Sequence, residues 1–267
     1  MKTDLLKMTI WVVVVALMAT SCKNNNDLPT PPDETETKVL KLRKASATEI
    51  DYQLFDYDSS GRITQHVSQW QYVQSDPTQI KRIENNFEYN TAGQLTTVRS
   101  QGGDHRYFYT NGKLERVESR AANRLISTTY FLFDAKGRVS EREEVVPDDR
   151  QMSDAPAKTK WKYTYDAKGN CVHVDYFLFM EGKYSLYETL DYSEFDSAPN
   201  PFDQLSFFPY VPWVKFQVNN PGKQISTAAS TGLKQSTTFR YQYDAKGIPT
   251  QRTINQGGAE WTLKLEY

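Results

Sequence analysis

The chain has 267 residues and a formal net charge of −1, from 32 basic and 33 acidic side chains. That balance leaves no basic field for nucleic acid and no acidic tail for a basic partner. Aromatic residues make up 13% while hydrophobic residues total only 38%, which points to a hydrated, sheet-rich protein long enough to bury a sizeable core.

Residues 1–21 read as a targeting segment. Lys2 and Lys7 precede the apolar run "MTIWVVVVALM", Met8 to Met18, which is shorter than the roughly 20 residues a spanning helix needs and suits a signal-peptide core. The following "ATSC", Ala19 to Cys22, resembles the lipobox of bacterial lipoproteins, although Ala19 departs from the usual Leu. The resemblance implies lipidation at Cys22 and a membrane as first partner, with an outer-membrane location on either face. A signal cut near Ser21 without lipidation is the alternative. Two acyl chains anchor stably where one is marginal. Residues 22–37, rich in Pro, Asn, Asp and Thr, form a hydrated tether. One domain is expected over residues 38–267. Cys171 then lacks an intrachain partner, so packing must supply the stability.

Six copies of one pattern follow: "FDYDSSGRI" from Phe55, "FEYNTAGQL" from Phe87, "YFYTNGKL" from Tyr107, "FLFDAKGRV" from Phe131, "YTYDAKGNC" from Tyr163 and "YQYDAKGIP" from Tyr241. Alternating aromatics share one face of a strand. Asp or Asn opening the turn and Gly closing it suit a type I turn with a glycine bulge. The third copy offers Asn111-Gly112, a two-residue hairpin signal. Each copy is therefore a hairpin apex. "WTLKLEY", Trp261 to Tyr267, also alternates. The fold class is all-β: an antiparallel meander curled into an open barrel or a two-layer sheet.

Between the last two copies, "SAPNPFDQLSFFPYVPWVKFQVNNPG", Ser197 to Gly222, carries five prolines and breaks the meander. Its aromatics make it too apolar for an ordinary surface loop. It either plugs the curled sheet or presents a binding surface. Phe207 and Phe208 should face opposite ways, and the ligand-binding candidates are Trp213, Tyr210, Phe207 and Phe208.

The aromatic-x-aromatic-Asp-x-x-Gly units resemble the YD repeats of Rhs-type toxins. With the lipobox and "SAPNPF", Ser197 to Phe202, the arrangement is similar to a Bacteroidetes lipoprotein family of unknown function. The resemblance implies fold and location and carries over no catalytic residues.

Catalytic chemistry finds little footing. In "CVHVDY", Cys171, His173 and Asp175 are expected on one strand face, but such neighbours stand about 6.6 Å apart, whereas a nucleophile and its base must meet near 3 Å. The same three make an incomplete metal set. Asp58, Asp134, Asp166 and Asp244 are explained by turn formation. No catalytic residue, metal or cofactor is expected. The reading is a non-catalytic binding module of the cell envelope, with a glycan or envelope protein as partner. The alternatives are a structural or interaction subunit that pairs its sheet edge or surface with another envelope protein and a carrier whose half-open barrel shields an apolar ligand.

Overall fold

The computed structural model describes residues 41–73, 76, 78–150, 156–202 and 205–267. Cys22, the signal and the tether lie outside the described residues. The first four strands are β1 (Lys44–Ser46), β2 (Tyr52–Tyr57), β3 (Ile63–Gln71) and β4 (Ile80–Tyr89). Next come β5 (Leu95–Ser100), β6 (Gly103–Thr110), β7 (Lys113–Ala121) and β8 (Arg124–Phe133). Then follow β9 (Val139–Val145), β10 (Lys158–Tyr165), β11 (Cys171–Met180) and β12 (Lys183–Ser193). The last are β13 (Lys223–Ala228), β14 (Lys234–Tyr243), β15 (Pro249–Gln256) and β16 (Ala259–Glu266). Each strand pairs antiparallel with its sequence neighbours, and β1 also pairs with β16, so the meander closes into a barrel. The sheet thus curls further than an open barrel. Closure leaves no free sheet edge, so an interaction subunit of this fold would have to pair through its surface.

Each of the six repeat copies closes a hairpin, and all six turns lie at one end of the barrel. In the first, the Gly61 N–H donates to the Asp58 carbonyl at 2.9 Å, while Asp58 Oδ1 accepts from the Arg62 N–H at 2.9 Å. Gly169 closes the fifth with φ of 97°, and a Cβ there would meet Val218 at 3.2 Å. Copy three turns on Asn111 and Gly112, both at positive φ, as the sequence predicts. Three residues past the glycine the second strand of each copy carries one unpaired residue: Thr64, Thr96, Glu115, Ser140, Val172 and Thr250. These bulges tighten the local twist. The hydroxyls of Thr96, Ser140 and Thr250 donate across them to strand carbonyls.

Paired residues share a sheet face, so the register separates inside from outside. The first aromatic of each copy points inward, as does the residue two past the glycine: Ile63, Leu95, Leu114, Val139, Cys171 and Pro249, all buried. The second aromatic locks adjacent copies together. Tyr89 donates its hydroxyl to the Ile63 carbonyl at 2.8 Å, Tyr109 to Leu95 at 2.9 Å and Tyr165 to Val139 at 2.9 Å. Tyr267 does the same to Pro249 at 2.8 Å. In every case the acceptor is the residue two past the preceding glycine.

The Pro- and aromatic-rich segment enters the barrel from the turn end. Phe207, Val211 and Val214 are buried with the strand core, and the rings of Phe207 and Phe216 meet Tyr163 edge-on at 5.4 and 5.9 Å. The segment is stitched to the wall by backbone and amide bonds. Cys171 N–H donates to the Phe216 carbonyl at 3.0 Å, and Gln217 Nε2 to the Cys171 carbonyl at 3.0 Å. The half of the barrel at the turn end is therefore filled. Toward the other end the inner face is mixed, with Gln53, Ser68, Ser119 and Ser127 beside Trp70, Trp161, Tyr176 and Trp261.

Candidate functional site

The segment divides its aromatics between core and surface. Phe207 is 2% exposed while its neighbour Phe208 is 56% exposed, as expected for adjacent residues of an extended stretch. Tyr210 is half-buried, packed on Phe87 at 5.7 Å and on His66 at 6.2 Å, and its carbonyl accepts the Tyr107 hydroxyl at 2.7 Å. Phe208 lies edge-on to His105 at 4.9 Å, and Arg142 Nη1 donates to its carbonyl at 2.5 Å. Of the four candidates, Phe207 belongs to the core and Tyr210 mostly to the plug. Phe208 and Trp213 keep accessible rings.

Trp213, 48% exposed, stands on the wall of a cleft of about 440 Å³ at the turn end. The cleft is also lined by the apices of the first three copies, Gly61, Gly93 and Gly112, with Arg62, Gln94, Tyr89 and Tyr109. The Tyr109 ring lies 6.4 Å from the indole, tilted by 37°. The Arg62 guanidinium sits 4.6 Å above the Tyr89 ring and is held at 2.7 Å by Asp58. Its Nη1 would lie 3.2 Å from a Cβ on Gly93, so that glycine leaves room for the guanidinium. Hydrogen bonds from Arg62, led by its backbone N–H, hold the Asp58 carboxyl below its ordinary range. Burial pushes the Tyr109 phenol up to about 12 and moves Tyr89 in the same direction. Both stay protonated and donate to the carbonyls above, so the cleft receives their rings and not their hydroxyls. An apolar shelf (Trp213, Tyr109, Pro212) thus shares the cleft with a polar rim (Arg62, Gln94).

The Cys171, His173 and Asp175 strip is taken apart by the bulge at Val172. Tyr165 pairs with Cys171 and Thr164 with His173, which puts thiol and imidazole on opposite faces of the sheet. This corrects the shared face expected from simple alternation. Cys171 occupies the inward position that Ile63, Leu95 and Val139 fill in other copies. Burial drives its thiol up to about 12, so no thiolate forms near neutrality. His173 sits outside, bracketed by Asp191 at 2.6 Å and Asp175 at 3.0 Å. Those carboxylates, Asp191 foremost, raise its pKa. Among the described residues no cluster of His, Cys, Asp and Glu could hold a metal ion.

The outer face is laced with charge. Arg82 pairs with Glu84, Arg99 with Glu88, Arg116 and Arg120 with Glu118, and Lys160 with both Glu141 and Glu143. A membrane-spanning barrel presents an apolar band outward, and each Arg or Lys at its midplane costs about 2–4 kcal/mol. This barrel has the opposite polarity.

The fold and site together define a closed, water-facing antiparallel barrel with a plugged end and an aromatic cleft beside the plug. In backbone it is similar to a porin-like protein from Bacteroides uniformis, at 14% identity and a TM-score of 0.56 over 84% of this chain and 97% of that one. It is equally similar to a porin-like protein from Bacteroides vulgatus, at 14% identity and a TM-score of 0.57 over 85% and 98%. At such identity the likeness is one of fold. No protein-family model matches the sequence, and no curated protein does either.

Proposed function

We propose that the chain is a cell-envelope lipoprotein of the Bacteroidetes type with Rhs-like YD repeats, held at the outer membrane through Cys22. In this reading it binds carbohydrate without catalysis. The observation that carries the binding role is the half-exposed indole of Trp213 over the cleft, with Tyr109 beside it and Arg62 and Gln94 also lining the cleft. A pyranose ring has an apolar C–H face and a hydroxyl edge, and such a shelf with a polar rim matches both.

The test is a glycan array probed with the mature protein, followed by calorimetry on the hits. Trp213→Ala should weaken binding at least tenfold with an unchanged melting curve, since the ring packs little. Undiminished binding in that variant would remove the cleft from this role.

A further inference from the structure

We propose a second carbohydrate site at the opposite mouth of the barrel, where Trp70 and Trp261 wall a trough over β1 and β2. The cavity is about 300 Å³, and both indoles line it together with Ala45, Gln53, Ser68 and Leu263. Trp70 lies near the far end of β3 and Trp261 near the start of β16, so neither approaches the Trp213 cleft at the turn end.

The register fixes the shape. Ala45 pairs with Gln53 and Gln53 with Ser68, giving a floor one residue deep across three strands. Trp261 and Trp70 stand on β16 and β3, three strand spacings apart, or about 14 Å between strand axes. Indoles on those two walls frame a cavity of about 300 Å³, roomy enough for a sugar ring. Trp261 is 39% exposed. Trp70 is steadied by the Lys81 ammonium at 5.7 Å from its ring centroid.

The floor points to the chemistry of the occupant. The Gln53 amide and Ser68 hydroxyl make no hydrogen bond to any described residue, whereas Tyr52 and Gln69, which also line the cavity, are bonded to each other at 3.0 Å. Asp51, at the rim, is engaged by the Gln71 N–H at 2.8 Å and the Thr48 hydroxyl at 3.1 Å. The trough therefore offers two aromatic faces and two unused neutral hydrogen-bonding groups, with its carboxylate satisfied. A neutral pyranose supplies the complement: C–H faces for the indoles and hydroxyls for the amide and the Ser68 hydroxyl. A purely apolar ligand would bury the floor groups without partners. A peptide strand would need unpaired backbone, which the closed ladder does not provide.

This inference does not rest on the Trp213 reading, and the experiment separates the two. In the mature chain carrying Trp213→Ala, tryptophan fluorescence and calorimetry are followed against cellohexaose, maltohexaose and mannohexaose. Saturable binding to one of them is expected to persist, with at least a tenfold loss in Trp70→Ala and in Trp261→Ala and partial retention in Trp261→Phe. Gln53→Leu, which keeps the volume and removes the amide, should lose binding without a change in melting temperature; it decides the matter should Trp70→Ala fail to fold. Binding to none of the three sugars, or binding unchanged in both Trp261→Ala and Gln53→Leu, overturns the site. Saturable binding of palmitate that no sugar displaces assigns the trough to an apolar ligand and overturns it equally.

Discussion

The tyrosine hydroxyl is the residue that turns a degenerate motif into a structure. Five of the six copies place Tyr at the second aromatic position, and the fourth places Phe133 there. In copies two, three and five that hydroxyl reaches the carbonyl two past the preceding glycine, so each hairpin is bonded to the one before it. Tyr165→Phe should cost about 1–2 kcal/mol, because the Val139 carbonyl loses its side-chain donor in a buried setting. By the same geometry Phe133→Tyr should be neutral or slightly stabilising, its new hydroxyl meeting the Leu114 carbonyl. Urea unfolding of the two variants checks this, and an equal loss in both would show that the ring and not the hydroxyl matters.

At the scale of elements, the segment between β12 and β13 is what gives one end of the barrel a solid interior. Sixteen strands enclose more space than their own inward side chains fill. Phe207, Val211 and Val214 supply the missing volume. Phe207→Ala should therefore destabilise by about 3–5 kcal/mol, as for other buried aromatics. Phe208→Ala, one residue on, should cost less than about 1 kcal/mol, since most of its ring already meets water. Thermal denaturation of the pair is sufficient. Similar losses at both sites would mean that the segment packs by its backbone alone. The alternation expected of an extended stretch makes this contrast readable from adjacent Phe residues, but which of the two points inward follows only from where the segment enters the barrel.

For the whole molecule, polarity decides the relation to the membrane. The backbone is similar to that of proteins called porin-like, yet here ion pairs such as Lys160 with Glu141 lie on the outside and aromatics pack inside. A charged outer face of this kind suits water, and the proposed lipid at Cys22 would supply the attachment to a membrane. Cys22→Ser should abolish labelling by a fatty-acid analogue and leave the protein recoverable from the aqueous phase without detergent. Planar bilayers exposed to it should show no conductance. Retention in the membrane with channel activity would contradict the assignment of the outer face.

Much was settled by sequence alone: alternating aromatics, turn Asp or Asn and closing Gly dictate hairpins, because strand period and turn geometry are local properties of a few adjacent residues. The all-β class and the break at Ser197 follow for the same reason. Tertiary structure decided the rest. Closure depends on β1 meeting β16, a pairing between opposite ends of the chain that no local pattern encodes. The bulge at Val172 separates Cys171 from His173, and strict alternation cannot anticipate it. Both clefts gather residues far apart in sequence. Trp213 meets Arg62 and Tyr109, and Trp70 faces Trp261, only because the barrel's curvature brings distant strands to a common mouth.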